Sequence, residues 1–306
     1  MIYTLTTNPA IDYNISTDGI YPKVVNRTFD AVYTPNGKGL NVSFVLDHFH
    51  HPSKILGFFG GFSGEYIVNE TRKRGYQVLP VWVDDITRIN IFLNDGTQEY
   101  KFVNAGSMVH EKQKQEMLQM IAQADDMEFL IISGSLPKGV DPDYYDDILK
   151  ICQKKGVRVI LDISSKKLNE LLSYHPYLIK PNDEEVEAIF GLQMSNENDM
   201  MKAIDIMHEK GAENILLTLG EKGAYFSDGK QIIYANAQKI KLLSSACAGD
   251  SALAAFLSVW LEDQTQIEKA LKRSAATGAN VAESAGIGDL KKVEEYEKNI
   301  QTRKVR

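Results

Sequence analysis

The sequence predicts an α/β protein in which helices cover both faces of a mostly parallel sheet, with a small β-sheet attached. Two observations carry this prediction. Beyond about residue 110, apolar strand-like runs alternate with helix-like segments, which is the order that builds parallel sheets. Residues 77–103 instead have the pattern of consecutive strands with no helix between them. The sequence contains no internal repeat and no proline-rich linker, so we expect one domain over residues 1–306.

The amino-terminal elements are expected to alternate in type. Residues 2–6 are rich in β-branched and aromatic side chains and predict a strand, after which a polar, turn-rich stretch runs to Gly39. Apolar residues at helical spacing predict a helix over 40–49. A strand over 54–59 and a helix over about 64–74 follow.

The small β-sheet is expected from residues 77–83, 89–93 and 98–103. Asp95-Gly96 separates the last two runs, and Asp-Gly between apolar runs is a strong hairpin signal. We therefore expect a local β-meander over about 77–103, to which part of 10–36 contributes strands.

The remaining elements follow the same patterns. The helix over 143–155 has Asp141 placed as its cap and Pro142 at its first position. Strands are predicted over 129–133, 157–162, 177–180 and 215–219, and a hairpin over 224–234. Helices are predicted over 110–123, 143–155, 166–173, 183–190, 197–211, 249–261 and 266–282.

Composition narrows the classes of function. Hydrophobic residues make up 43% of the 306 residues and charged residues 25%, as in soluble globular proteins. The net charge of −7 disfavours nucleic acid and anionic membranes as partners. The sequence shows no signal peptide and no membrane span, and both cysteines, Cys152 and Cys247, are expected to be free. We therefore expect a cytoplasmic protein.

The segment 247–251, Cys-Ala-Gly-Asp-Ser, precedes a long apolar helix. Amides at a helix start bind anions, and small residues let a ligand approach the backbone closely. Asp250 is then placed to accept a proton from a hydroxyl that attacks a phosphorus atom held by those amides. Alternatively, Asp250 only caps the helix.

Three further segments are candidate binding sites. Residues 36–41, Asn-Gly-Lys-Gly-Leu-Asn, offer close approach, a charge and hydroxyl-binding groups, or form only a glycine-rich turn. Asn182 and Glu185 share one helix face and suit a water-clad Mg²⁺, or merely begin a helix whose dipole favours acids. The loop 218–223 is either a plain hairpin or a nucleotide-contacting turn.

Taken together and in this order, the motifs resemble those of the ribokinase-like (PfkB) carbohydrate kinases, in the branch of 1-phosphofructokinases and tagatose-6-phosphate kinases. The resemblance spans nearly the whole chain and implies the ribokinase-like fold, with the small β-sheet as a lid over the sugar site. It rests on Thr6-Thr7-Asn8-Pro9-Ala10-Ile11-Asp12, Asn36-Gly37-Lys38-Gly39-Leu40-Asn41, Gly57-Phe58-Phe59-Gly60-Gly61-Phe62-Ser63-Gly64, Thr87-Arg88-Ile89-Asn90, Ser133-Gly134-Ser135-Leu136-Pro137, Lys180-Pro181-Asn182-Asp183-Glu184-Glu185, Thr218-Leu219-Gly220-Glu221-Lys222-Gly223 and Ala248-Gly249-Asp250-Ser251.

The resemblance implies a role for each matched position. Asp250 is the expected base, with the amides around Ala248 and Gly249 on the transferring phosphoryl. Asn182 and Glu185 are expected to organise Mg²⁺, mainly through water. The groups expected on the sugar phosphate are Asp12, Gly37, Lys38, Gly39, Asn41, Arg88, Asn104 and Ser135. The groups expected on ATP are Lys180, Thr218, Gly220, Gly223 and Asn280.

The resemblance also implies a reaction and its alternatives. We expect transfer from ATP to fructose 1-phosphate, giving fructose 1,6-bisphosphate. Tagatose 6-phosphate is the alternative substrate, and a non-catalytic sugar-phosphate or nucleotide sensor is the alternative class. Relatives often pair through the lid, which makes a homodimer through the lid an expectation. The chain departs from the family where Cys247 replaces a usual glycine and where Asp162-Ile163-Ser164-Ser165 and Asn104-Ala105-Gly106-Ser107 replace usual motifs.

Overall fold

The computed structural model describes residues 1–306. The strands are β1 (Ile2–Thr6), β2 (Ala10–Thr17), β3 (Thr28–Asn36), β4 (Ser53–Gly60), β5 (Gln77–Val83), β6 (Arg88–Asn94), β7 (Glu99–Phe102), β8 (Phe129–Ser133), β9 (Arg158–Asp162), β10 (Leu178–Ile179), β11 (Ile215–Thr218), β12 (Ala224–Ser227), β13 (Ile232–Ala235) and β14 (Thr302–Lys304). The helices are α1 (Lys38–His48), α2 (Gly61–Lys73), α3 (Glu111–Gln123), α4 (Tyr144–Lys155), α5 (Leu168–Leu171), α6 (Asp183–Phe190), α7 (Glu197–Glu209), α8 (Ala248–Trp260), α9 (Ile267–Ala282) and α10 (Val293–Asn299).

Ten strands form one large sheet in the order β14-β13-β12-β11-β10-β9-β8-β1-β4-β5. The pairs from β11 to β5 are parallel and those from β11 to β14 are antiparallel. Both faces are buried. In β8, Leu130 and Ile132 pack in the core that holds α3, α4 and α7, and Phe129 and Ile131 pack in the core that holds α1, α8 and α9. The predicted α/β class, with helices on both faces, is confirmed.

Four strands form a separate small sheet in the order β3-β2-β6-β7. The predicted hairpin at Asp95-Gly96 joins β6 to β7, and both β2 and β3 come from the 10–36 region. The expected membership of 77–83 in this sheet is wrong, because β5 pairs with β4 at the edge of the large sheet. The helix α2 lies between β4 and β5, so these elements form a βαβ unit with parallel strands. The small sheet therefore takes from the predicted 77–103 segment only β6 and β7.

The other predicted elements agree with the structure to within a few residues, with two exceptions. The residue that precedes α4 as its cap is Asp143, so the prediction of Asp141 as cap is wrong. The carboxyl-terminal α10 and β14 were not predicted; β14 pairs with β13.

None of the helices combines the length and hydrophobicity needed to cross a lipid bilayer.

Candidate active site

A cavity of about 890 Å³ lies between the two sheets. Thr6, Ser133 and Thr218, which end β1, β8 and β11, line one side of it. The small sheet lines the other side with Asp12 and Arg88, among others. Ligands of open α/β sheets bind outside the carboxyl ends of the strands, and this cavity has that position.

Asp250 lies in the first turn of α8 and lines the cavity, although its side chain is only 5% exposed. Burial raises the pKa of this carboxyl to about 6, against the opposing charge of Lys38. The Nδ2 atom of Asn41 donates a hydrogen bond to Asp250 Oδ2 over 3.0 Å. A carboxylate with a pKa near the working pH suits general-base catalysis.

The start of α8 also supplies free amides. The N–H of Ala248 donates to the Ser245 carbonyl over 3.4 Å, whereas those of Gly249 and Asp250 have no acceptor. Gly249 lines the cavity and Ala248 does not. The amides of this turn that have no acceptor in the protein are therefore those of Gly249 and Asp250, and both residues line the cavity.

Cys247 precedes α8 in a left-handed conformation, with φ of 63°. This region favours glycine and is costly for other residues. The side chain lines the cavity, and its Sγ lies 3.3 Å from Nδ2 of Asn41. Burial raises the pKa of this thiol to about 12, so it stays neutral. Cys247 therefore holds a backbone conformation that a glycine at this position would adopt at lower cost.

A chain of hydrogen bonds joins Asp250 to Asp12 on the small sheet. Asn41 Nδ2 donates to Asn36 Oδ1 over 2.9 Å as well as to Asp250, and Asn36 Nδ2 donates to Asp12 Oδ2. Asn90 Nδ2 donates to Asp12 Oδ1 over 2.9 Å. Burial raises the pKa of Asp12, and the two asparagine bonds oppose that shift. Sequence reasoning gave no role to Asn36 or Asn90, although both stand in the motifs it singled out.

Two lysines share one buried carboxylate. Asp162, at the end of β9, is 1% exposed and lies 3.0 Å from Lys180 Nζ and 3.9 Å from Lys38 Nζ. Burial alone would raise the pKa of Asp162, but Lys180 and Lys38 hold it below its usual value. Asp162 in turn raises the pKa of Lys38. Sequence reasoning assigned no role to Asp162; its position at the end of a buried strand was the available signal.

Arg88 is fixed by main-chain acceptors. Its guanidinium donates to the carbonyls of Asn104 over 3.2 Å and Asn8 over 3.0 Å, while its Nε has no partner. Ser135 lines the cavity beside it and accepts from Asn8 Nδ2 over 3.2 Å. The Asn104 side chain donates to the Ile89 carbonyl within the small sheet and does not line the cavity.

Asn182 and Glu185 form a reciprocal cap at the start of α6. Asn182 Oδ1 accepts from the Glu185 N–H over 2.7 Å, and Glu185 Oε2 accepts from the Asn182 N–H over 3.0 Å. Glu185 Oε1 also accepts from Ser164. Both residues line the cavity. Because one carboxylate and one amide, each already hydrogen-bonded, are the oxygen donors here, they fit a Mg²⁺ that keeps its waters.

The other predicted residues divide into two groups. Gly37 and Thr218 line the cavity; Gly39, Gly220, Gly223 and Asn280 do not. A Cβ on Gly39 would meet Thr6, and one on Gly223 would meet the Ala235 carbonyl, so both glycines serve close packing. Asn280 is buried and its Oδ1 accepts from the Lys292 N–H over 3.2 Å.

The model of the pfkB family carbohydrate kinases matches residues 5–293. The chain belongs to the PfkB family of carbohydrate kinases. As in the other members, its activity is that of a phosphotransferase acting on a sugar hydroxyl, and the expected family and enzyme class are confirmed.

Individual PfkB kinases are similar over almost the whole chain. The D-tagatose-1-phosphate kinase of Klebsiella oxytoca is 48% identical over 301 residues, covering 98% of this chain and 99% of that protein. The 1-phosphofructokinase of Bacillus subtilis is 32% identical over 289 residues, covering 94% of each. The fold is similar to the crystal structure of phosphofructokinase-2 from Escherichia coli in complex with substrates and products. The two chains superpose with a TM-score of 0.88 and are 28% identical, and the match covers 97% of this chain and 99% of that one.

Proposed function

We propose that this kinase transfers the γ-phosphoryl group of ATP to the 6-hydroxyl of a ketohexose 1-phosphate. The observation that carries the proposal is the buried Asp250, whose pKa is about 6, beside the free amides of Gly249 and Asp250 in a cavity lined by cations. Phosphoryl transfer depends on positioning and charge neutralisation, and this arrangement supplies both. It also disfavours a non-catalytic sensor, which needs no base.

The roles follow from the contacts. Asp250 accepts the proton of the attacking hydroxyl, and Asn41 fixes the orientation of its carboxylate. The Gly249 and Asp250 amides bind oxygens of the transferring group, and Lys38 and Lys180 offset its negative charge. Mg²⁺, when bound, neutralises charge on the ATP phosphates. Asn182 and Glu185 would hold it through water.

The sugar phosphate occupies the half of the cavity beneath the small sheet, which acts as a lid. Asp12 and Asn41 bind sugar hydroxyls. Arg88 and Ser135, which both line the cavity and both contact Asn8, bind the phosphate already on the sugar. Thr218 is the cavity residue proposed for ATP contact, with Gly220 and Gly223 shaping the turn behind it.

Tagatose 1-phosphate is our first choice of substrate, because the relative at 48% identity is named for it. Fructose 1-phosphate, the expectation from the motifs, comes second on the strength of the relative at 32% identity. The two sugars differ only in configuration at C4. Tagatose 6-phosphate, which would be phosphorylated at C1, stays as a third arm of the test.

The test is a substrate panel with ATP and Mg²⁺ in which ADP release is followed. We expect the highest kcat/KM with tagatose 1-phosphate, a lower value with fructose 1-phosphate, and loss of turnover in Asp250→Asn. A higher kcat/KM for tagatose 6-phosphate than for both 1-phosphates would contradict the proposed acceptor. ADP release that does not depend on any sugar phosphate would contradict the kinase assignment.

We also propose that a second copy of the chain packs against the small sheet, giving a homodimer through the lid. The small sheet exposes apolar side chains in β3 and in the segment before it, including Val25, Phe29, Val32 and Tyr33, each at least 46% exposed. Apolar patches of this kind favour association. Light scattering that gives the mass of one chain would contradict it. Use of ATP supports a cytoplasmic location.

A further inference from the structure

The loop after β9, residues 163–167, carries two adjacent lysines with different surroundings. Lys167 Nζ lies within 2.9 Å of carboxylate oxygens of Asp143, Asp146 and Glu170, outside the cavity. Lys166 has no carboxylate within 4.0 Å and makes no side-chain hydrogen bond, and it lines the cavity together with Ser164 and Ser165. Of the two neighbouring ammonium groups, only that of Lys166 is left without a partner in the protein.

The other cations of the cavity are already engaged. Lys38 and Lys180 share Asp162, and Arg88 donates to two main-chain carbonyls. Lys166 is the one cavity cation with no partner in the protein. An ammonium group has three donors, all of which remain available to a ligand here.

The formal charges of the site balance only when this cation is counted. Asp12, Asp162, Glu185 and Asp250 are four carboxylates in or directly behind the cavity, against the cations Lys38, Arg88, Lys166 and Lys180. Without Lys166 the site is formally negative, whereas both proposed substrates carry several negative charges. Unlike Lys38 and Lys180, Lys166 has no carboxylate beside it that would offset its attraction for an incoming phosphate.

The position of the loop connects it to both phosphate regions. Ser164 donates to Glu185 at the start of α6, where we place the ATP phosphates. At its base, the Asp162 carbonyl accepts from the Gly134 N–H over 3.1 Å, one residue before Ser135, which we propose to bind the phosphate of the sugar. We propose that Lys166 binds a phosphate group of the bound substrates. This inference rests on the proposed function, and the shared chemistry is a phosphate oxygen on ATP or on the sugar.

The test compares Lys166→Ala with Lys167→Ala, a matched loss of one lysine from the same loop, and with Lys166→Arg. Calorimetry measures the Kd of ATP and of tagatose 1-phosphate separately, alongside the KM of each. Loss of one charged hydrogen bond predicts about a tenfold rise in Kd for one ligand in Lys166→Ala, with restoration in Lys166→Arg. The affected ligand identifies the source of the phosphate.

The outcomes separate this inference from the proposed function. If Lys166→Ala and Lys167→Ala have the same two dissociation constants while the wild type binds and turns over both substrates, the Lys166 inference is overturned and the kinase assignment stands. If the wild type binds neither ligand, both are overturned. Thermal unfolding of each variant identifies an effect that arises from loss of fold.

Discussion

Two buried aspartates of the active site are expected to respond in opposite directions to the same substitution. Burial raises the pKa of Asp250 from 3.8 to about 6, whereas Lys180 and Lys38 hold the pKa of Asp162 below its usual value despite its burial. A raised carboxyl pKa means that the folded protein prefers the neutral form. Asp250→Asn and Asp162→Asn thus form a matched pair.

The magnitude for Asp250 follows from linkage. A shift of about 2 pKa units corresponds to about 3 kcal/mol, at about 1.36 kcal/mol per unit. This free energy is the cost of keeping the buried Asp250 carboxylate ionised in the folded protein. Because the folded pKa lies above the unfolded one, the folded protein bears the full cost at pH values above the folded pKa. The cost falls to zero as the pH drops from the folded pKa to the unfolded pKa. We therefore expect Asp250→Asn to raise the free energy of unfolding near neutral pH by up to about 3 kcal/mol, and to lose that advantage at about pH 4.

For Asp162→Asn, the expected change in the free energy of unfolding has the opposite sign. Its removal leaves Lys180, which is 5% exposed, without its carboxylate, and loss of one partner of a buried ion pair costs about 3 to 5 kcal/mol. Because the folded pKa is lowered, the stability that this carboxylate supplies is present at neutral pH and is lost as the pH falls through the folded pKa. Asp162→Asn should therefore be destabilised near neutral pH.

The assay is urea unfolding of the wild type and both variants across the range from neutral to acidic pH, with kcat from the same preparations. Asp250→Asn should combine higher stability with a loss of at least about 100-fold in kcat. Destabilisation by Asp250→Asn at neutral pH would refute the reasoning for that residue. Equal stability of Asp162→Asn and the wild type would refute the account of the shared carboxylate.

Three further predictions concern Asn41, Arg88 and the two cysteines. Asn41→Ala removes a hydrogen bond that stabilises the ionised Asp250 carboxylate, so the pKa of Asp250 should rise. The acidic limb of the pH profile of kcat/KM should therefore move from about pH 6 to a value about one unit higher. An acidic limb at the wild-type pH would contradict this. Arg88→Ala should raise the KM for the sugar phosphate more than that for ATP, and equal effects would exclude its proposed role. Cys247 and Cys152 should resist alkylation in the folded protein at mildly basic pH, because burial raises the pKa of each thiol to about 12. Rapid modification of Cys247, detected by mass spectrometry, would contradict the neutral state of its thiol.

The parts of the fold with strong periodicity could be predicted from the sequence, and those set by distant pairing could not. The helices and strands over 110–235 were found because their apolar residues recur at helix or strand spacing. In β3, by contrast, the first six residues are all exposed, so no alternation marks it as a strand. The placement of β5 failed because its partner is β4, across α2, and not the strand that follows it in the chain.

The candidate site shows the same division. Asp250 was predicted because Gly-Asp before an apolar helix is a local pattern. Asp162 acquires its role only when folding brings Lys38 from α1 and Lys180 from the end of β10 to the same carboxylate. Asn36 and Asn90 likewise become significant through their bonds to Asp12, which are contacts between neighbouring strands of the small sheet.

The central claim is transfer of a phosphoryl group to the 6-hydroxyl of a ketohexose 1-phosphate with Asp250 as base. Phosphorus NMR of the products formed from tagatose 1-phosphate, ATP and Mg²⁺ tests it most directly. We predict a new phosphomonoester at C6, formed in step with ADP by the wild type and at least about 100-fold more slowly by Asp250→Asn. Release of inorganic phosphate in place of a sugar bisphosphate, or the same product at an undiminished rate from Asp250→Asn, would contradict the account.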